Sequence, residues 1–167
     1  MQVGAEFTDL IDGHGVLVEC ASKPRIVRSH APDNAAMPCL RKHALQLILM
    51  NDADAKAAAV RALPAVLHVD DSTRLRQLAE PAGVPGRPGR PELRHPSEMK
   101  NRAVGSLEGR AALLHALAHI ESNAIDLALD VLWRFEGMPE AFYLDWLQVA
   151  REEALHFELL HAHLREL

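Results

Sequence analysis

Apolar residues in the last third of the chain recur at steps of three and four. Leu114, Leu117, Ala118, Glu121, Ala124, Ile125, Ala128 and Leu132 fall on one stripe of a helix. Phe142, Trp146, Val149, Glu153, His156, Leu160 and Leu167, with His163, fall on a second. Ser106 is a suitable N-cap for the first helix, which is expected to run to about Phe135 and stop at Gly137. Pro139 and Glu140 supply the chemistry of a helix start, and the second helix is expected to run from there to the C-terminus. The turn Glu136-Gly137-Met138-Pro139 is short enough to force an antiparallel hairpin.

Upstream the pattern is more broken. Leu40, Ala44, Leu47 and Ile48 predict a helix from Leu40 to Met50. Asn51 or Asp52 can cap a second helix, with Asp54 in its first turn, an alanine-rich body from Lys56 to Leu63, and Pro64 to end it. A third short helix is expected from Ser72 to Glu80. The segment EPAGVPGRPGRPELRHP then forbids a helix and predicts an extended strap, its arginines solvated or paired with carboxylates. Residues 1–39 read as an irregular extension, in which GVLVEC and PRIVRS allow a short strand or hairpin. The division is therefore 1–39 extension, 40–105 short helices and strap, and 106–167 helix hairpin. The fold class is mainly α.

Composition narrows the function classes. A net charge of -5 argues against a general nucleic-acid-binding field and against a DNA partner, while Arg87, Arg90 and Arg94 in the strap leave RNA contact open as an alternative. Cys20 and Cys39 lack metal-site or disulfide-framework spacing and read as free thiols of a reducing compartment. No secretory leader and no apolar run of membrane-spanning length is visible, so a cytoplasmic location without membrane contact is expected. GVPGRPG lacks the lysine-bearing pattern of a phosphate loop.

The candidate chemistry lies in the hairpin, where five of the ten histidines also fall. Glu121 is the one charge in the first stripe, and burying a carboxylate costs several kcal/mol unless it is paired or metal-bound. Glu153 and His156 are spaced i and i+3 and share a face of the second helix. Glu121 lies sixteen residues before Gly137 and Glu153 sixteen after it, so a rise of about 1.5 Å per residue puts them at one height. These three are the candidate metal ligands. A buried Glu–His pair without metal is the competing reading. His115, His119, Glu152 and Asp126 are candidates to orient the ligands from behind, or simply polar helix surface. His161 is expected to be solvated, as is His163.

The phrases EGRAALLHALAHIESNAIDLALDVLWRF and MPEAFYLDWLQVAREEALHFELL, with the strap and LMNDADAKAAAVRAL, resemble the ferritin-like superfamily of carboxylate-bridged dimetal proteins. More closely, they are similar to a bacterial ferritin-like family whose biochemical function is unassigned. The resemblance covers roughly residues 40–167. The superfamily pattern is a Glu, then Glu-x-x-His, then the same set on two further helices. Glu121 matches the first Glu, and Glu153 with His156 match the first pair; the second set is absent from this sequence. The resemblance thus implies half of a four-helix bundle and half of a dimetal site. The other half would come from a continuation of a longer chain or from a second copy in a homodimer; otherwise the chain is a truncated remnant without a site. The resemblance also implies iron or manganese as cofactor and a diiron-type oxidoreductase or hydroxylase, distantly like a tRNA-hydroxylating diiron monooxygenase. The alternative is a non-catalytic helical interaction module.

Overall fold

A computed structural model of the chain describes residues 39–64, 69, 77–92, 94–98 and 102–167. The strand segments expected in the N-terminal extension and most of the helix expected from Ser72 lie outside these residues. The described stretch Gln77–Glu80 is not helical.

Helix α1 spans Leu40–Ile48 and α2 Ala53–Arg61. A 3-10 turn follows at Pro96–Glu98, then the long helices α3, Leu107–Arg134, and α4, Glu140–Glu166. The caps explain the boundaries. Asp52 accepts from the Ala55 amide at 2.8 Å, and Ser106 accepts from the Gly109 amide at 3.0 Å, each satisfying an orphan donor. Pro64 stands just beyond α2.

The turn between α3 and α4 is built from two residues. Gly137 adopts φ 70°, a left-handed conformation that costs a residue with a Cβ about 1–2 kcal/mol. The fully buried Tyr143 donates its hydroxyl to the Phe135 carbonyl at 2.9 Å and accepts from the Met138 amide at 3.3 Å. That hydroxyl ties both arms of the turn together.

The two long helices pack antiparallel along their length, α1 lies against α3, and α2 lies against α4. The core joins Ile125, Leu129, Leu132 and Trp133 of α3 to Tyr143, Leu147, Ala150 and Ala154 of α4. Leu40, Ala44, Ile48, Ala57 and Val60 close it from the short helices. At roughly 1.5–3 kcal/mol for each large buried side chain, this cluster is the main source of stability.

The buried faces differ from the sequence-predicted stripes. The most buried positions are rotated toward the flank covered by α1 and α2, by roughly 60° on α3 and roughly 100° on α4 (at about 100° per residue). Leu114, Glu121, Ala124, Phe142, Trp146, Val149, Glu153 and Leu160 are therefore only half-buried. Leu117 is more open still, at 36% exposure. The short helices cover one flank of the hairpin, and among the described residues nothing covers the other. Glu121 thus sits on an open seam rather than deep in the core.

Two buried cations hold the layers in register. Arg41 of α1 is fully buried and donates to the Trp133 carbonyl through Nε at 3.1 Å and Nη2 at 2.6 Å. It places a positive charge on a carbonyl in the last turn of α3, where unpaired carbonyls and the helix dipole favour one. Lys56 of α2 contacts Asp126 of α3 at 2.5 Å and also donates to the Gly86 carbonyl at 3.1 Å. The strap is fastened at the same point: the Gly86 amide donates to the Ile48 carbonyl at 2.7 Å. A Cβ at Gly86 would lie 2.2 Å from the Leu49 carbonyl oxygen, so only glycine allows the approach. Among the described residues no helix is long and apolar enough to cross a membrane.

Candidate metal centre

Glu121 of α3 and Glu153 and His156 of α4 meet on the open seam of the hairpin. His156 Nδ1 lies 3.3 Å from Glu153 Oε2 and 3.8 Å from Glu121 Oε2. One ligand atom from each of the three lies within 4.8 Å of the others. The helical repeat and the equal spacing about Gly137 produce this convergence, as the sequence predicts. The side chains of Glu121 and Glu153 are 22% and 25% exposed, and that of His156 is 50% exposed.

The neighbouring Glu153 carboxyl perturbs Glu121. The Glu121 carboxyl is held above its ordinary value, first by its hydrogen bond with Glu153, then by burial and by the charge of Glu153; His156 opposes the shift. In chemical terms the cluster offers two oxygen donors and one nitrogen donor around a common point, with excess negative charge. That set fits a divalent cation of the iron, manganese or zinc type, and its three donors leave coordination positions for further ligands.

The other residues singled out in the sequence stand apart from this point. Glu152 accepts from the Gln148 side-chain amide at 2.8 Å. Asp126 is buried on the opposite flank of α3 with Lys56; burial raises its carboxyl above the ordinary range, and the Lys56 ammonium partly offsets that. His119 pairs with Asn123 at 3.1 Å, and His115 is exposed on the same flank. None of these four touches the cluster. His161, expected in solvent, instead pairs with Asp54 of α2 at 2.6 Å and rests against Phe157, with ring centres 5.3 Å apart. Its position one turn beyond Phe157 puts it under α2, a tertiary contact that periodicity does not reveal. His163 is exposed, 3.8 Å from Glu166. In the strap, Arg87 donates to the Asn123 side chain at 2.9 Å and Arg94 pairs with Glu92 at 3.1 Å.

The Lys56–Asp126 pair and the Arg41 contact were not legible in the sequence. Their one signal is a charge within each helix's buried arc, Arg41 between Leu40 and Ala44, and Asp126 between Ile125 and Leu129.

Fold and cluster together define a class: a helical-hairpin protein with a Glu on one arm facing a Glu-x-x-His on the other. The chain belongs to the DUF455 family, proteins of unknown function, whose profile matches residues 49–167. It is similar to an uncharacterized protein of Haemophilus influenzae, 48% identical over 89 residues. That match covers 48% of this chain and 30% of the relative, so the chain spans under a third of the relative's length. No solved structure matches it.

Proposed function

We propose that Glu121, Glu153 and His156 are one half of a ferritin-like dimetal centre, and that a second copy of the chain supplies the other half. The observation that carries this reading is the convergence of two carboxylates and an imidazole within 4.8 Å on a seam that is only half covered. Buried structural pairs match one acid to one base. Here two acids face one histidine, a surplus of negative charge that a cation relieves.

The surroundings support pairing of two copies. Beside Glu121, α3 exposes Leu113, Leu117, Ile120 and Leu127 at 36–58%, and α4 exposes Leu159 at 58%. These residues flank the cluster on the side away from α1 and α2. A two-fold partner laid on that face would bury them and bring a second Glu, Glu and His to the first set. The total, four carboxylates and two histidines, is what helix bundles use to hold two ions.

Glu121 and Glu153 would hold the ions through carboxylate oxygens, and His156 would bind through a ring nitrogen. When bound, reduced iron supplies O2 activation, and the reaction class is oxidation or hydroxylation of an organic substrate. The exposed leucines would then exclude water from the pair of ions once the copies close. A non-catalytic helical module, in which the same residues only specify pairing, is the competing reading.

Elemental analysis of protein purified without a metal-chelating tag separates the two, run beside Glu153→Ala. Bound iron or manganese in the wild type that is lost in the variant supports the dimetal reading. Equal, background-level metal in both supports the module.

A further inference from the structure

A second concave site lies on the other flank of α3. It is a cavity of about 310 Å³ between the start of α2, the strap, α3 and the last turns of α4. That volume is at the lower end of small-ligand pockets. Its residues from α3 include His115, His119 and Asp126, which lie roughly 120–160° around the helix from Glu121. The cavity is therefore separate from the metal cluster and does not depend on it.

The charges around it are not symmetrical in their availability. Each wall carboxylate already has a partner: Asp52 caps α2, Asp54 takes His161 at 2.6 Å and Arg165 at 3.0 Å, and Asp126 takes Lys56. The cations differ. Among the described residues Arg87 makes one hydrogen bond, to Asn123, and its charge also reaches Asp126, but most of its guanidinium fork is unused. Among the described residues, Arg90 and His115 have no hydrogen-bond or ion-pair partner, and both line the cavity. An entering cation would meet carboxylates that already hold partners, Asp54 and Asp126 with basic side chains and Asp52 with the α2 cap amide, whereas an entering anion would meet two arginines and a histidine. Phe157, Leu164, Pro88 and Pro91 add an apolar wall.

We propose that this cavity binds a small organic anion, a phosphate or carboxylate group carried on an apolar body. Arg87, Arg90 and His115 hold the anionic group, and the body lies against Phe157 and Leu164. The strap thereby gains a role that its proline and arginine content alone does not assign: it carries two arginines to the rim of the cavity, and the Gly86 contact with Ile48 fixes their position.

Isothermal titration of the full chain with phenyl phosphate, benzoate and benzylamine tests this. Saturable binding of phenyl phosphate, of benzoate or of both is expected, and which one binds identifies the anion. Arg90→Gln and His115→Ala should each weaken that binding by roughly tenfold, the loss of one charge-assisted hydrogen bond. Arg94→Gln, paired with Glu92 and outside the cavity, should change it less than about twofold on the same scale. Both variants alter exposed side chains, and circular dichroism verifies that the fold is kept. The proposal is overturned if neither anion binds saturably, if benzylamine binds as well as the anions, or if Arg90→Gln and His115→Ala bind like wild type.

Discussion

Glu121 and Glu153, sixteen residues on either side of Gly137, each bring a carboxylate oxygen to within 4.8 Å of the other across the hairpin seam. Glu153 makes ionisation of Glu121 less favourable, so the pair is a small cost to the metal-free fold. Glu121→Gln removes one acid while keeping shape and hydrogen-bonding capacity. The metal-free variant should be equal to wild type or more stable by under about 1 kcal/mol, the effect being damped by the water that reaches the seam. Added Mn(II) should raise the melting temperature of wild type and not that of the variant. Thermal unfolding in chelator and in Mn(II) checks both halves of this statement.

Lys56 and Asp126 behave differently because both are buried. Asp126→Asn keeps an acceptor for Lys56 and removes a carboxylate whose ionisation burial opposes, so it should cost little, whereas Asp126→Leu takes that acceptor from Lys56 and should cost about 3–5 kcal/mol in chemical denaturation. Replacing both together, Lys56→Met with Asp126→Leu, should cost far less or be neutral, since the desolvation of both charges disappears.

The direction of the Asp126 shift also fixes a pH dependence. Its folded-state value is raised, so the folded protein takes up this proton before the unfolded chain does. Its contribution is fully present below the ordinary value of 3.8 and is lost as pH rises through the raised folded-state value. The stability of wild type relative to Asp126→Asn should therefore be greatest at the acid end and decline across the carboxylate range. A difference that grew with pH would mean that the Lys56 attraction outweighs burial.

The strap and the turn make two backbone predictions. Gly86→Ala sets a Cβ against the Leu49 carbonyl and should cost about 2 kcal/mol or more, with faster hydrogen exchange in the strap. Gly137→Ala meets no steric obstacle but must hold φ 70°, so a cost of about 1–2 kcal/mol is expected. Tyr143→Phe should cost a similar amount, because the Phe135 carbonyl and the Met138 amide lose their shared partner.

Much of this molecule follows from local rules. The caps at Asp52 and Ser106, the stop at Gly137 and the equal heights of Glu121 and Glu153 are all set by residues close in sequence or by a constant helical rise. The features that escaped depend on packing between distant segments. The buried arcs of both long helices turn toward α1 and α2, and nothing in either stripe encodes that rotation. It is why Glu121 lies at an edge, why His161 is drawn onto Asp54 107 residues away, and why Lys56 finds Asp126. The strap's extended character was readable from its prolines. Its docking through the Gly86 amide onto the end of α1 was not, since one glycine among several gives no sign of which will be pressed against a neighbouring backbone.

The most direct test of the metal centre is the ion-to-chain ratio after anaerobic reloading of stripped protein with Fe(II) or Mn(II). It should be measured for wild type, Glu121→Gln, Glu153→Ala and His156→Ala, with light scattering on the same samples. Wild type should hold roughly one ion per chain as a dimer, matching two ions per four-helix site, and each variant should fall well below that. A monomeric wild type with no more bound metal than the three variants would contradict the assignment of Glu121, Glu153 and His156 as ligands.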